Sequence, residues 1–276
     1  MIGTVTHAAP IHDPGLVARI RHALPDADAG TTAYLDFGAR LDSVTAVHAE
    51  PGAVAWLSLH AAWNRPWIIG MGRQPGGVAR CVAGLVAEHG LPEGLTVERQ
   101  AFPRLPSGLR PVEHWEWDWW YTTTAPAPRP QEALVMGLGL TDPRVPELLA
   151  VANPDAMVHP GDRRISGWWG ITAEALEKAA GVAPTDLVAV AAVTTMRPGI
   201  PHLGSVATHP SWRGQGLSRD LCARLTRDAL DQGAPAVTLG MHAANRSARA
   251  VYSSLGYTVG QRWASGRMPR SDSSRD

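Results

Sequence analysis

The stretch His209-Pro210-Ser211-Trp212-Arg213-Gly214-Gln215-Gly216-Leu217-Ser218 sets an arginine and two spaced glycines at the mouth of a helical run. A helix N-terminus carries unpaired backbone N–H groups and the positive end of the helix dipole. Glycines just before it let the backbone approach an anion with no side chain between. The guanidinium of Arg213 adds a planar fork of donors that matches phosphate oxygens. These residues describe a phosphate cradle. No Gly-Lys-Ser/Thr follows, so the loop is not of the Walker type. A third glycine and a downstream acidic residue are missing too, which sets aside the dinucleotide fingerprint.

Other residues have chemistry to offer. The spacing of His202, His209 and His242 lacks a ligand signature, and no metal is expected. Cys81 and Cys222 are the only cysteines, too few for a disulfide framework or a cysteine-type zinc site. The segment Pro111–Thr122, PVEHWEWDWWYT, reads as a strand. Glu113, Trp115, Trp117 and Trp119 then face one way and His114, Glu116, Asp118 and Trp120 the other. Tryptophan on both faces fits a strand covered on both sides. It fits equally a wall of an acceptor pocket, where Glu116 or Asp118 holds a cationic amine against an indole such as Trp120. Trp168 and Trp169 either complete that wall or lie in plain core.

The elements that must position these residues alternate between strand and helix. In the second half, EALVMGLGL, ISGWWGIT, DLVAVAAVTTM, HLGSVATHP, AVTLGM and YTVGQRW read as strands. DPRVPELLAVA, with a possible Asp142 cap, and NRSARAVYSSLG read as helices. Between them Leu217, Leu221, Cys222, Leu225 and Leu230 form one helical stripe that Gly233 ends. In the first half, VAWLSLHAAWN and RPWIIGMG form a hairpin, GGVARCVAGLVAEHG a helix and LTVERQA a strand. Such alternation predicts an α/β protein with some parallel pairing. YTTTAPAPRPQEA (Tyr121–Ala133) is the linker candidate. Set 140 positions apart without gaps, Arg73–Val97 lies over Arg213–Val237, with Arg73 on Arg213, Gly76 on Gly216 and Leu85 on Leu225. A repeated fold is the expectation.

With these residues in place, the second half resembles the GNAT superfamily of N-acetyltransferases. The family's pyrophosphate loop, Arg/Gln-x-x-Gly-x-Gly/Ala, is matched by Arg213 and Gly216, with Ser218 where glycine or alanine is usual. The family's Asn-x-x-Ala-x-x-x-Tyr pattern is matched by Asn245, Ala248 and Tyr252. The agreement in order and spacing runs over roughly Pro201 to Trp263. The resemblance implies an acyl-coenzyme A donor, acetyl-CoA or another. It implies backbone contacts from Val206, Ala207 and Thr208 to the pantetheine, and amides of Arg213, Gly214, Gln215, Gly216, Leu217 and Ser218 on the pyrophosphate. Asn245 would contact the pantetheine arm beside Ala248, and Tyr252 would be the general acid. His202, at the start of the strand with the pantetheine contacts, is the candidate base. In the first half Pro75 removes a backbone donor and Val78 puts a branched side chain where a small residue is needed.

The totals fit this reading. The chain has 276 residues, and its 25 basic and 25 acidic residues balance, so nothing resembles a nucleic-acid or anionic-membrane footprint. The first residues lack the pattern of a secretory leader, and no apolar run approaches a membrane span. A cytoplasmic protein is expected. The expected architecture is tandem GNAT-like folds, mixed central sheets flanked by helices. A degenerate first domain would span 1–125, and the domain carrying the acyl-CoA site 131–270. The expected activity is transfer of acetyl from acetyl-CoA to a primary amine of a small molecule by direct attack in a ternary complex. The alternative is a non-catalytic acyl-CoA-binding protein. A homodimer is compatible with either.

Overall fold

The computed structural model describes residues 13–60, 64–176 and 186–269; the opening residues read for a leader lie outside these. In chain order the elements are α1 (Pro14–His22), α2 (Ala29–Ala33), β1 (Val44–Glu50), β2 (Ala53–Leu59), β3 (Pro66–Met71), α3 (Pro75–His89), β4 (Gly94–Glu98) and β5 (His114–Thr122). There follow β6 (Met136–Leu138), α4 (Arg144–Ala152), β7 (Ile165–Thr172), β8 (Leu187–Arg197), β9 (Ile200–Thr208), α5 (Leu217–Asp231), β10 (Val237–His242), α6 (Arg246–Ser254) and β11 (Thr258–Arg267). The chain forms two compact units. The first comprises Met1–Asp118, His242–Ala244 and Gly260–Asp276; the second comprises Trp119–Met241 and Asn245–Val259.

In the first unit, β1, β2 and β3 are antiparallel neighbours. Helix α3 then carries the chain over to β4, which runs parallel to β3. Val78, Cys81, Val82 and Leu85 recur at helical spacing on α3 and are buried against Ile68, Leu95 and Val97. The last strand pairs antiparallel with β4, Trp263 opposite Glu98 and Arg267 opposite Gly94. The sequence reading grouped YTVGQRW with the second half; from Gly260 onward it belongs to the first unit. Helices α1 and α2, which periodicity did not reveal, start on Asp13 and Asp28. These carboxylates accept from the N–H groups of Gly15 and Thr31.

The second unit repeats the plan. Strands β6 to β9 are antiparallel neighbours, and α5 crosses over to β10, parallel to β9. Leu217, Leu221, Cys222 and Leu225 of α5 pack with Val188, Leu203 and Leu239 on one face. Val145, Leu148 and Leu149 of α4 pack with Trp168, Val190 and Ala207 on the other. Only Met136–Leu138 of the expected EALVMGLGL strand is extended. The linker candidate is pinned along α5: Arg129 and the N–H of Gln131 bond the Asp220 carboxylate, and Arg227 holds Glu132. Both units thus contain strand–helix–strand with a parallel pair. They differ in the connection before the helix, three residues (Gly72–Gln74) in the first and eight (His209–Gly216) in the second.

Candidate active site

The site of the second unit is built on an interrupted strand. Residues Gly204 and Ser205 lie mid-strand in β9, where a glycine often marks a bulge. On β8 one residue separates Val190 from Ala192, whereas on β9 two separate their partners Ala207 and Gly204. Ser205 takes up the extra residue with φ of +48°, in the left-handed region. Its hydroxyl donates to the carbonyl of Val158 at 2.7 Å and accepts from the N–H of the same residue at 3.2 Å. The parallel pairing with β10 is confined to Thr238 opposite His202 and Leu239 opposite Leu203. Beyond it the two strands part, and the outer edge of β9 is left open.

Ladder alternation decides which groups face that opening. The N–H of His209 donates to Val188 on β8, which makes Ala207 opposite Val190 a bonded pair as well. The N–H and C=O groups of Val206 and Thr208 therefore point away from β8. This corrects the three-residue expectation, since the backbone of Ala207 is spent on β8. The Val206 carbonyl accepts from Asn153 Nδ2 at 3.4 Å, a neighbour that no sequence pattern singled out.

The loop after β9 has the conformation a cradle needs. Gly214 and Gly216 have φ of +79° and +83°, and Gly216 caps α5. A Cβ at Gly214 would meet nothing within 4 Å, and one at Gly216 only Asp220 Oδ1 at 3.9 Å, so open space lies over the loop. The first turn of α5, which includes the N–H groups of Leu217 and Ser218, receives no side-chain cap. Gln215 is exposed between the two glycines. Arg213 is exposed; its Nε donates to the Thr208 carbonyl at 3.3 Å and its Nη2 to the Ala152 carbonyl at 3.1 Å. The arginine stitches the loop to β9 and α4 and brings its charge with it.

Helix α6 carries the second motif. Asn245 caps it, its side-chain oxygen accepting from the N–H of Ala248 at 3.0 Å, so one end of the amide has a structural task. Tyr252 is buried between helix and sheet, its ring 5.8 Å from that of Tyr257. Burial first, then the neighbouring Cys222 and Tyr257, hold its phenol well above the usual 10. The proton therefore stays on. The hydroxyl has no hydrogen-bond partner among the described residues.

His202 lies at the one place where β9 and β10 still pair. Its Nδ1 is 2.9 Å from Thr238 Oγ1. Desolvation, with a smaller contribution from Arg164, lowers the imidazole from 6.5 to about 4, so it is neutral near pH 7. Arg164 is itself held by Asp162.

The carboxylates proposed to grip an amine have a resident cation. In the first unit, Arg99 Nε is 2.9 Å from Glu116 and Arg99 Nη2 2.7 Å from Asp118, which is fully buried. Asp118 is an internal ion-pair partner, and Glu116 shares the same guanidinium. In the second unit Trp168 is core beside Leu149, and Trp120 is buried with Arg249 stacked 5.5 Å from its ring. Neither indole lies open as a wall.

The first unit's counterpart of the cradle differs. Its loop is five residues shorter, Pro75 occupies the first turn of α3, and Val78 is fully buried. There β3 and β4 stay paired to Gly70 and Val97. Beyond that pair, the Glu98 carboxyl lies near the backbone of Gly72.

Residues 147–257 match the acetyltransferase (GNAT) family model. Among solved structures, the chain is similar to a GCN5-related N-acetyltransferase from Sphaerobacter thermophilus, 18% identical over 93% of this chain and 91% of that one, with a TM-score of 0.53. One from Kribbella flavida is 16% identical over 95% and 98%, with a TM-score of 0.48. A tandem GNAT protein from the clavulanic acid biosynthesis pathway is 16% identical over 96% and 98%, at 0.43. No curated protein matches. No helix among the described residues is long and apolar enough to cross a membrane.

Proposed function

We propose, from the match of residues 147–257 to the acetyltransferase (GNAT) family model, that the protein is an acyltransferase of that kind and transfers an acyl group, acetyl first, from coenzyme A to a primary amine of a small molecule. The observation that carries the reading is the parting of β9 and β10 after Leu203 and Leu239, with the glycine loop and the first turn of α5 at its end. When bound, acyl-CoA supplies a thioester, an electrophilic carbonyl with a good leaving group.

The chain's own groups account for the rest. Val206 and Thr208 offer backbone N–H donors along the open edge, as an added strand would use them. The amides from Gly214 to Ser218 and the charge of Arg213 suit the pyrophosphate. Fixing donor and acceptor in one groove supplies much of the rate by proximity, and N–H groups on β9 suit the carbonyl oxygen on which charge develops. His202, neutral at pH 7, accepts a proton from the attacking nitrogen. Tyr252 holds a proton at Oη for the departing sulfur; a thiol of pKa about 8.5 needs only modest help. The first unit, with its short loop, Pro75 in the first turn of α3 and the buried Val78, is read as a lobe that holds no coenzyme A.

Calorimetric titration of acetyl-CoA into the protein tests the proposal. The expected result is one site per chain, lost in Gly216→Asp, followed by amine-dependent thiol release. Two sites would overturn the reading of the first unit. A folded protein that binds none would overturn the proposal.

A further inference from the structure

We propose that Thr238 is a positioning residue for acyl transfer, its hydroxyl holding His202 in the Nδ1–H tautomer and leaving the Nε2 lone pair for the acceptor amine. The inference rests on His202 being the base, as read above. Thr238 and His202 are direct partners in the parallel ladder, so their side chains share a face. Thr238 is buried, and its Oγ1 lies 2.9 Å from His202 Nδ1 and 3.3 Å from the Pro201 carbonyl. A hydroxyl has one hydrogen and a carbonyl only accepts. With its hydrogen on Pro201, Thr238 Oγ1 accepts, and the proton between it and the ring sits on Nδ1.

The other ring nitrogen is the reactive one. His202 Nε2 has no hydrogen-bond partner among the described residues and is not a sealed polar atom. A free imidazole prefers its proton on Nε2, which would block acceptance there; the threonine reverses that preference. The charged group that bears on the ring is Arg164, itself paired with Asp162, while β8 contributes the neutral Thr194, whose hydroxyl donates to the His202 carbonyl.

The proton balance is complete. As the amine nitrogen forms its bond to the carbonyl carbon, its proton passes to Nε2 while Nδ1–H stays on Thr238. The carbon–sulfur bond breaks with its electron pair on sulfur, which takes the Tyr252 proton. His202 then releases its extra proton to water, and Tyr252 regains one.

The test is nitrogen-15 NMR of the histidine-labelled full chain, with His202→Asn identifying the resonances. The expected spectrum has Nε2 unprotonated in the wild type, mixed or reversed tautomers in Thr238→Val, and the original pattern in Thr238→Ser. A wild-type proton on Nε2, or a Thr238→Val spectrum identical to wild type, overturns the inference. Kinetics with acetyl-CoA and a panel of tyramine, spermidine and phenethylamine separates the two readings. Thr238→Val should lower kcat roughly tenfold or more at unchanged KM for acetyl-CoA, with Thr238→Ser restoring it. His202→Asn as active as wild type would remove the base assignment and the positioning role with it, even with the tautomer as expected. Turnover of no amine would remove the base reading, and the positioning role with it.

Discussion

The hydroxyl oxygens of Thr208 and Ser218 lie 2.8 Å apart, tying the last residue of β9 to the first turn of α5 across the glycine loop. Ser218 is the position where the family pattern has glycine or alanine, and its hydroxyl already has a partner. Ser218→Ala should therefore cost about 1 kcal/mol of stability and leave acetyl-CoA affinity within about threefold of wild type. Thermal unfolding and calorimetry on the same preparation check both halves. A large loss of affinity would instead make the hydroxyl a ligand.

Tyr252→Phe removes a single oxygen from a buried ring and keeps its packing. The variant should fold normally and slow amine-dependent thiol release about ten- to a hundredfold without abolishing it. The acetyl-CoA stoichiometry should stay the same. An unchanged rate would reduce Tyr252 to a packing residue.

Burial moves two groups in opposite directions. His202 falls from 6.5 to about 4. As pH drops, the unfolded chain binds that proton first, so the contribution is complete above pH 6.5 and lost towards pH 4. Glu98 rises from 4.5 to about 7, chiefly by desolvation and further by Asp28. There the folded chain keeps a proton that the unfolded chain has released. Its contribution is complete below pH 4.5 and lost as pH climbs to 7. In the overlap the slopes oppose, each on the order of 3 kcal/mol in full. Urea melts of Glu98→Gln should gain stability with rising pH between 4.5 and 6.5, and those of His202→Asn should lose it.

Two adjacent glycines in α3 should answer alanine with opposite signs. Gly76 has only Arg80 Nη1 near its missing Cβ, at 3.7 Å. Alanine there should stabilise by about 0.5–1 kcal/mol through helix propensity. A Cβ at Gly77 would strike Glu50 Oε1 and stand 2.8 Å from Ala53 Cβ. The carboxylate can swing, but the strand cannot, and a cost of about 1–3 kcal/mol is expected. Denaturant melts of the two variants check the pair.

The sequence carried most of the second unit. Its strands and helices have clear periods, and the loop motif stands where β9 ends. What it hid depended on pairs far apart in the chain. The partnership of Thr238 with His202 exists only because β9 and β10 are parallel neighbours. The Arg99 bond that occupies Asp118 spans two strands. The bulge had one faint signal, Gly204 before Ser205, while the bond from Asn153 to Val206 had none. In the first unit, the gapless overlay matched Arg73 to Arg213 but concealed the shortened loop, because helices dominate such an overlay.

The place of β11 bears on the birth of the chain. Strand β4 waits for an antiparallel neighbour that is synthesised more than 150 residues later. A nascent chain can fold β1 to β3 and α3 while still on the ribosome, but β4 keeps a bare edge until β11 has emerged. Such an edge invites pairing with foreign strands. The first unit, begun with β1, is thus finished only after the second unit has been made.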